Sequence, residues 1–420
     1  MGYMQHAMKK PEILAPAGSM EALETACLYG ADAVYLGVRG ETNLRAGARN
    51  FSVDEFPAAL CLARKSGVKV YLTLNTYPHD EQLRQMPDII RLAAENHVDA
   101  IIVSDLGVLS LVRSIAPGMP LHLSTQANAV SSAAVNAWAD LGISRVILGR
   151  ELSRGEIASI RGNTKIELEI FVHGSMCISI SGRCLISNYL NARDANQGGC
   201  TQPCRWEYAL MERTRPGEYL PVVEDDGFTY LYNSKDLCLM PVFDQVMALG
   251  VDGLKIEGRN KTALYVAVTV SAYCRARDAW MKNPGGFQVR KEWMDELMKV
   301  SHRGYFTGFF SSAPDERGVS YDFKGYTQTH HLAARVLETN GEATMLEARN
   351  PLIEGMQLEW LAAAGENRIF ELKGAHAGGT HKTHIRPNEV FAVKLPFVVR
   401  PGELIRKPYS QGDKVVPKKV

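Results

Sequence analysis

Short, nearly continuous apolar runs recur through the first 260 residues, each followed by a polar or amphipathic stretch. They are Glu12–Ala17, Ala33–Gly37, Val68–Asn75, Ala100–Asp105, Leu121–Gln126, Arg145–Arg150, Ile166–His173 and Leu254–Arg259. Helical spacing lies between most of them, as in Ser19–Tyr29, Met86–Asn96 and Ser131–Leu141. A strand that is apolar on both faces must be covered on both faces, which is the pattern of a parallel α/β sheet. Eight runs predict a closed (β/α)8 TIM-like barrel. An open doubly wound sheet is the alternative, but no Gly-x-Gly-x-x-Gly follows any run to favour it.

One interval breaks the rhythm. About 80 residues separate His173 from Leu254, far more than an ordinary strand-to-helix connection needs. This insertion, about 174–253, follows the seventh strand, so it should emerge at the C-terminal face, where barrel chemistry is found. Helical patterns return at Lys261–Met281 and Lys291–Val300, with Asn283-Pro-Gly-Gly286 between them. From His331 the texture alternates, as in Ala334–Glu338, Met356–Leu361 and Val390–Val393, which predicts a small C-terminal β-barrel or sandwich. The expected organisation is a barrel over 10–325, a β domain over 331–407 and a flexible basic tail over 408–420.

Composition adds little. Of 420 residues, 46% are hydrophobic and 22% charged, with a net charge of +1, so no global charge dictates a partner. Residues 331–420 hold 13 Lys/Arg against 10 Asp/Glu, a mild basic excess. No apolar run marks the N-terminus as a signal peptide or is long enough to cross a membrane. The expectation is a cytoplasmic protein with no membrane contact.

The cysteines change the picture. Five of eight, Cys177, Cys184, Cys200, Cys204 and Cys238, lie in the insertion. Clustered thiols in a reducing compartment point to metal binding or catalysis more than to disulfides. Structural zinc usually shows paired C-x2–4-C knuckles. Wide, unequal spacing such as this suits an iron–sulfur cluster better, and buried small hydrophobes are the bland alternative. Pro203 disfavours a helix at Gln202, so Cys200 and Cys204 need not share a face. The expected ligands are Cys177, Cys184, Cys200 and Cys238, with Cys204 outside the set.

Strand C-termini should ring the active site. There stand Asn75, Gln126, Arg150, His173, Glu257 and Arg259. His173 is a candidate proton donor or acceptor, Glu257 a second catalytic candidate, and Asp236 a group near the thiols. Each also has a structural reading as an ion-pair, turn or backbone partner. Arg205-Trp-Glu-Tyr208 offers stacking faces for a splayed base, or merely core packing.

The segments Glu169-Ile-Phe-Val-His-Gly-Ser-Met-Cys177, Ser181-Gly-Arg-Cys184, Arg193 to Tyr208, Asn233-Ser-Lys-Asp-Leu-Cys238 and Leu254-Lys-Ile-Glu-Gly-Arg259 together resemble the collagenase-like peptidase family of unassigned catalytic type. So do Pro11–Gly18 and Asn43–Phe51; the likeness spans roughly 10–330, and the last 90 residues are similar to an extension in one branch. That branch comprises prephenate-dependent proteins that hydroxylate wobble uridine of tRNA to 5-hydroxyuridine. The resemblance therefore implies a tRNA-modifying enzyme, a [4Fe–4S] cluster on the same four cysteines, and prephenate as co-substrate. Arg is suited to bidentate carboxylate binding, so Arg45, Arg150 and Arg259 would hold prephenate, with Asn75 and Gln126 as further substrate contacts. It also implies tRNA as partner and a homo-oligomer or a hetero-oligomer with a paralogue. A peptidase, a hydroxylase acting on rRNA or a ubiquinone precursor, and a non-catalytic assembly factor are the competing readings. Neither a His-Glu-x-x-His helix nor a Gly-x-Ser-x-Gly elbow supports the peptidase.

Overall fold

The computed structural model describes residues 9–40, 42–43, 48–176, 184, 186–205, 209–211, 219–221, 235–311, 326–340 and 343–409. Eight parallel strands close into a barrel: β1 Glu12–Pro16, β2 Ala33–Leu36, β3 Lys69–Leu74, β4 Ala100–Val103, β5 Leu121–Leu123, β6 Arg145–Ile147, β7 Glu167–Ser175 and β8 Gly253–Ile256. They pair in chain order, and β8 pairs with both β7 and β1 to close the ring. Every strand expected from the apolar runs is present. Seven of the strands are shorter at their C-terminal ends, because the polar residues there leave the ladder and turn into the mouth; β7 instead runs two residues past His173 to Ser175.

Helices cover the outside, and side-chain caps fix where several begin. Ser19, Asp105, Ser131, Ser153 and Thr262 each accept a backbone N–H from the first turn of the helix that follows. Such a cap satisfies a donor the helix cannot satisfy itself, worth about 1 kcal/mol. The last, Ala263–Lys282, is a 20-residue helix with most of its residues buried against the barrel. Among the described residues, no helix is long and apolar enough to cross a membrane.

The interior is layered. At the bottom, buried Arg145 contacts Glu12 at 2.5 Å, Glu167 at 2.6 Å and Glu169 at 3.4 Å. These carboxylates raise the Arg145 pKa against the opposing effect of burial. Above them Leu14, Ala33, Tyr35, Tyr71, Ala100, Ile102 and Ile147 pack as one apolar group, with Phe171 against it. The top layer is polar and forms the site.

The insertion returns to β7. Its strand Asp236–Cys238 runs antiparallel to the end of β7, pairing Asp236 with Ser175 and Cys238 with His173, and also pairs with Tyr305–Phe306. Within it, Ala209–Met211 and Tyr219–Pro221 form a separate antiparallel pair. The C-terminal β structure is an eight-stranded antiparallel sheet with its own core, including Leu346, Leu358, Trp360, Phe370 and Phe391. Polar contacts bind it to the barrel. Tyr29 donates to the Leu361 carbonyl at 2.8 Å, and Arg349 reaches Glu21 at 2.6 Å. Arg406, fully buried, lies between Glu296 at 2.7 Å and Glu359 at 2.8 Å.

Candidate ligand pocket at the barrel mouth

A pocket opens where the strands end. Tyr35, Ile102, Ile147 and Phe171 line its apolar inner end. Thr73, Asn75, Ser124, Thr125, Arg150, Lys255, Glu257 and Arg259 supply the polar wall. It encloses about 520 Å³ of space, part of it open to solvent. A mostly preformed concave site with a few convergent polar groups is the usual form of a small-ligand site.

Two arginines frame it. Arg259, 5% exposed, donates to the Thr73 hydroxyl at 2.9 Å, and its guanidinium lies 5.9 Å from the Tyr35 ring centre. Its backbone is pressed against Gly18: a Cβ there would sit 1.9 Å from the Arg259 carbonyl oxygen. Only glycine lets β1's loop pass this close. Arg150 donates to the Ser175 carbonyl at 2.8 Å and lies 5.0 Å over the Phe171 ring. Glu257 accepts the Ser175 amide at 3.2 Å. Gly174, at φ +112°, sits where a Cβ would meet Glu257 at 2.7 Å. Asn75 is held by Ser124 at 3.1 Å and accepts, through its carbonyl, the Ser104 hydroxyl at 3.0 Å.

The structure thus gathers Asn75, Arg150, Glu257 and Arg259 around one pocket. Arg45 lies outside the described residues. Gln126 is buried but does not line the pocket; its backbone carbonyl accepts from Tyr77. Its side-chain nitrogen has no hydrogen-bond partner among the described residues.

His173 requires a correction. Strand parity from Glu169 and Phe171 points it inward, toward substrate. A register shift opposite Lys255 and Ile256 inserts Val172 as an extra residue, so His173 pairs with Ile256 and turns outward. It is buried beside the rings of Tyr305, Tyr273 and Tyr265, at 5.1, 5.6 and 5.9 Å, and does not line the pocket. Burial drops its pKa to about 3, so it is neutral. The Tyr273 hydroxyl donates to the Val172 carbonyl at 2.8 Å, which leaves its oxygen to accept from His173 Nδ1 at 3.4 Å. Asp236 does not line the pocket either: its carboxylate is held by Arg303 at 2.6 Å in a buried pair.

The thiols divide. Cys177 lies outside the described residues. The Cys184 backbone amide donates to the Asn196 side chain at 3.3 Å, and Asn196 in turn accepts the Tyr77 amide at 3.2 Å, setting Cys184 near the mouth. Cys200 adjoins a hydrogen-bonded group of Ser187, Asn191 and Thr201. Cys238 is 1% exposed, 3.8 Å from the Tyr273 hydroxyl, and burial lifts its thiol to about 11. No three His, Cys, Asp or Glu side chains approach closely enough to hold a metal ion among the described residues.

Reasoning from sequence missed Thr73, Ser124, Thr125, Tyr35, Phe171 and Lys255. For Lys255 a signal existed. Residues two apart on a strand share a face, so Lys255, Glu257 and Arg259 all point inward.

A closed parallel barrel with helices between its strands, a separate C-terminal antiparallel sheet and a candidate pocket at the barrel mouth defines a TIM-like barrel protein. The chain belongs to Peptidase family U32, whose model matches residues 18–320. It is similar to tRNA hydroxylation protein P1 of Bacillus subtilis, 36% identical over 95% of both chains. It is also similar to tRNA hydroxylation protein P of Escherichia coli, 34% identical over 93% of this chain and 94% of that one. A protein named collagenase from Porphyromonas gingivalis is 32% identical over 71% of this chain and 73% of its own.

Proposed function

We propose that this chain is a tRNA-modifying enzyme that hydroxylates uridine to 5-hydroxyuridine in a prephenate-dependent reaction. Similarity to tRNA hydroxylation proteins along nearly the whole chain, including the C-terminal sheet, supports the tRNA reading. The observation that carries the co-substrate is the pocket itself. Arg150 and Arg259 stand at one apolar-floored cavity, and guanidinium groups suit the two carboxylates of prephenate. Tyr35 and Phe171 supply the surface against which its ring packs. Glu257, held by the Ser175 amide, is the carboxylate positioned to take or return a proton at the bound ligand.

A [4Fe–4S] cluster on Cys177, Cys184, Cys200 and Cys238 belongs to the proposal and would supply electron transfer. Its support is the cysteine spacing and the family resemblance; the described geometry does not assemble the set, so no step is derived through it. A peptidase using a Cys–His pair gains nothing from this structure. His173 and Cys238 are both sealed from solvent, where a peptide bond cannot reach them. The test is nucleoside analysis of tRNA from cells in which the gene is deleted, in a background free of redundant enzymes. Loss of 5-hydroxyuridine derivatives, restored by the intact gene but not by an Arg259→Ala copy, supports the reading. Unchanged derivatives overturn it.

A further inference from the structure

Lys255 has no place in the reading above. It rises from β8 into the barrel, is 4% exposed, and belongs to the pocket's polar wall. Its Nζ lies 3.0 Å from Glu169 Oε1, 4.4 Å from the Tyr35 ring centre and 5.6 Å from that of Phe171. Glu169 is itself fully buried and shares its other oxygen with Arg145 at 3.4 Å. A lysine at the barrel's centre, in contact with a carboxylate and open to a pocket walled by arginines, is a costly arrangement for stability alone. A buried ion pair is seldom a net gain over apolar packing.

We infer that Lys255 is a nucleophile that forms an imine with the carbonyl group of a 2-oxo acid bound in this pocket. The arginines hold the acid's carboxylate, and the amine meets the adjacent carbonyl. A desolvated lysine beside other cations is the form in which lysine attacks carbonyls. Here burial lowers the Lys255 pKa most; Glu169 opposes, and Arg259 and Arg145 add to the lowering. The step balances without an oxidant. The Lys255 proton passes to Glu169, and Nζ bonds to the carbonyl carbon as the C=O π pair moves to oxygen. The alkoxide takes a proton from the newly bonded nitrogen to give the carbinolamine, whose hydroxyl then leaves as water with the proton Glu169 took, while the nitrogen lone pair forms the C=N bond of a protonated imine. Water reverses the sequence to release the acid. The inference rests on the carboxylate-binding reading of the same pocket and is independent of RNA.

The test uses the full chain, pyruvate as the probe and cyanoborohydride to reduce any imine, followed by peptide mass mapping. The expected result is one reduced pyruvyl group on Lys255, at least tenfold above any surface lysine. Labelling there should fall when malonate competes for the arginines, and vanish in a folded Lys255→Arg variant. An unmodified Lys255 peptide, or labelling spread evenly over surface lysines, overturns the inference whether or not the Arg variant folds. Because no RNA is present, loss of tRNA hydroxylation with labelling intact would sink the RNA reading alone.

Discussion

Arg150 donates to the carbonyl oxygen of Ser175 at 2.8 Å, and so ties the end of β6 to the strand that runs on to Cys177. Glu257 holds the amide of the same residue from the other side. The pocket wall and the root of the thiol-rich insertion are therefore one hydrogen-bonded unit.

Arg259→Ala should weaken binding of prephenate by roughly 10- to 100-fold, the loss of a charged hydrogen bond worth about 1.5–3 kcal/mol. Calorimetric titration measures it. An unchanged affinity would show that the guanidinium serves the fold rather than the ligand.

The barrel was legible because burial on both faces leaves a plain apolar signature, and all eight strands followed from it. Asn75, Arg150, Glu257 and Arg259 were legible because strand ends open at the mouth. His173 was not, because one extra residue in β7 reverses strand parity and leaves no mark in composition. Lys255 was readable by parity but stood in an apolar run, where an interior charge runs against expectation. The thiol geometry was never legible, since spacing restricts which ligands can converge without setting their positions.

Gly18→Ala should destabilise the barrel by about 1–3 kcal/mol, because the new methyl overlaps the Arg259 carbonyl and forces backbone apart. Urea unfolding followed by circular dichroism reads the change. It should also reduce ligand binding, since Arg259 moves with its backbone.

Arg406→Met should cost about 1.5–3 kcal/mol, because it leaves Glu296 and Glu359 with Lys299, at 2.7 and 3.4 Å, as their remaining cation. The loss should shrink when both carboxylates are replaced by glutamine in the same chain. Equal losses in the two backgrounds would mean that Arg406 acts by packing alone.

His330 predicts an acid-side slope. Burial, then Arg406 and Lys299, lower its pKa to about 4 from an ordinary value near 6.5. The unfolded chain therefore binds this proton first. Its contribution is fully present above pH 6.5 and is lost as pH falls from there to about 4, at no more than about 1.4 kcal/mol per pH unit. His330→Gln should flatten that part of the stability profile and leave the region above pH 7 unchanged.

The most direct measurement is reconstitution. Protein purified without oxygen is mixed with prephenate and tRNA lacking the modification, and the nucleosides are separated and weighed by mass spectrometry. The account predicts 5-hydroxyuridine that depends on prephenate and disappears with Arg259→Ala. Product formed equally well without prephenate, or none from iron-loaded protein with both substrates present, would contradict it.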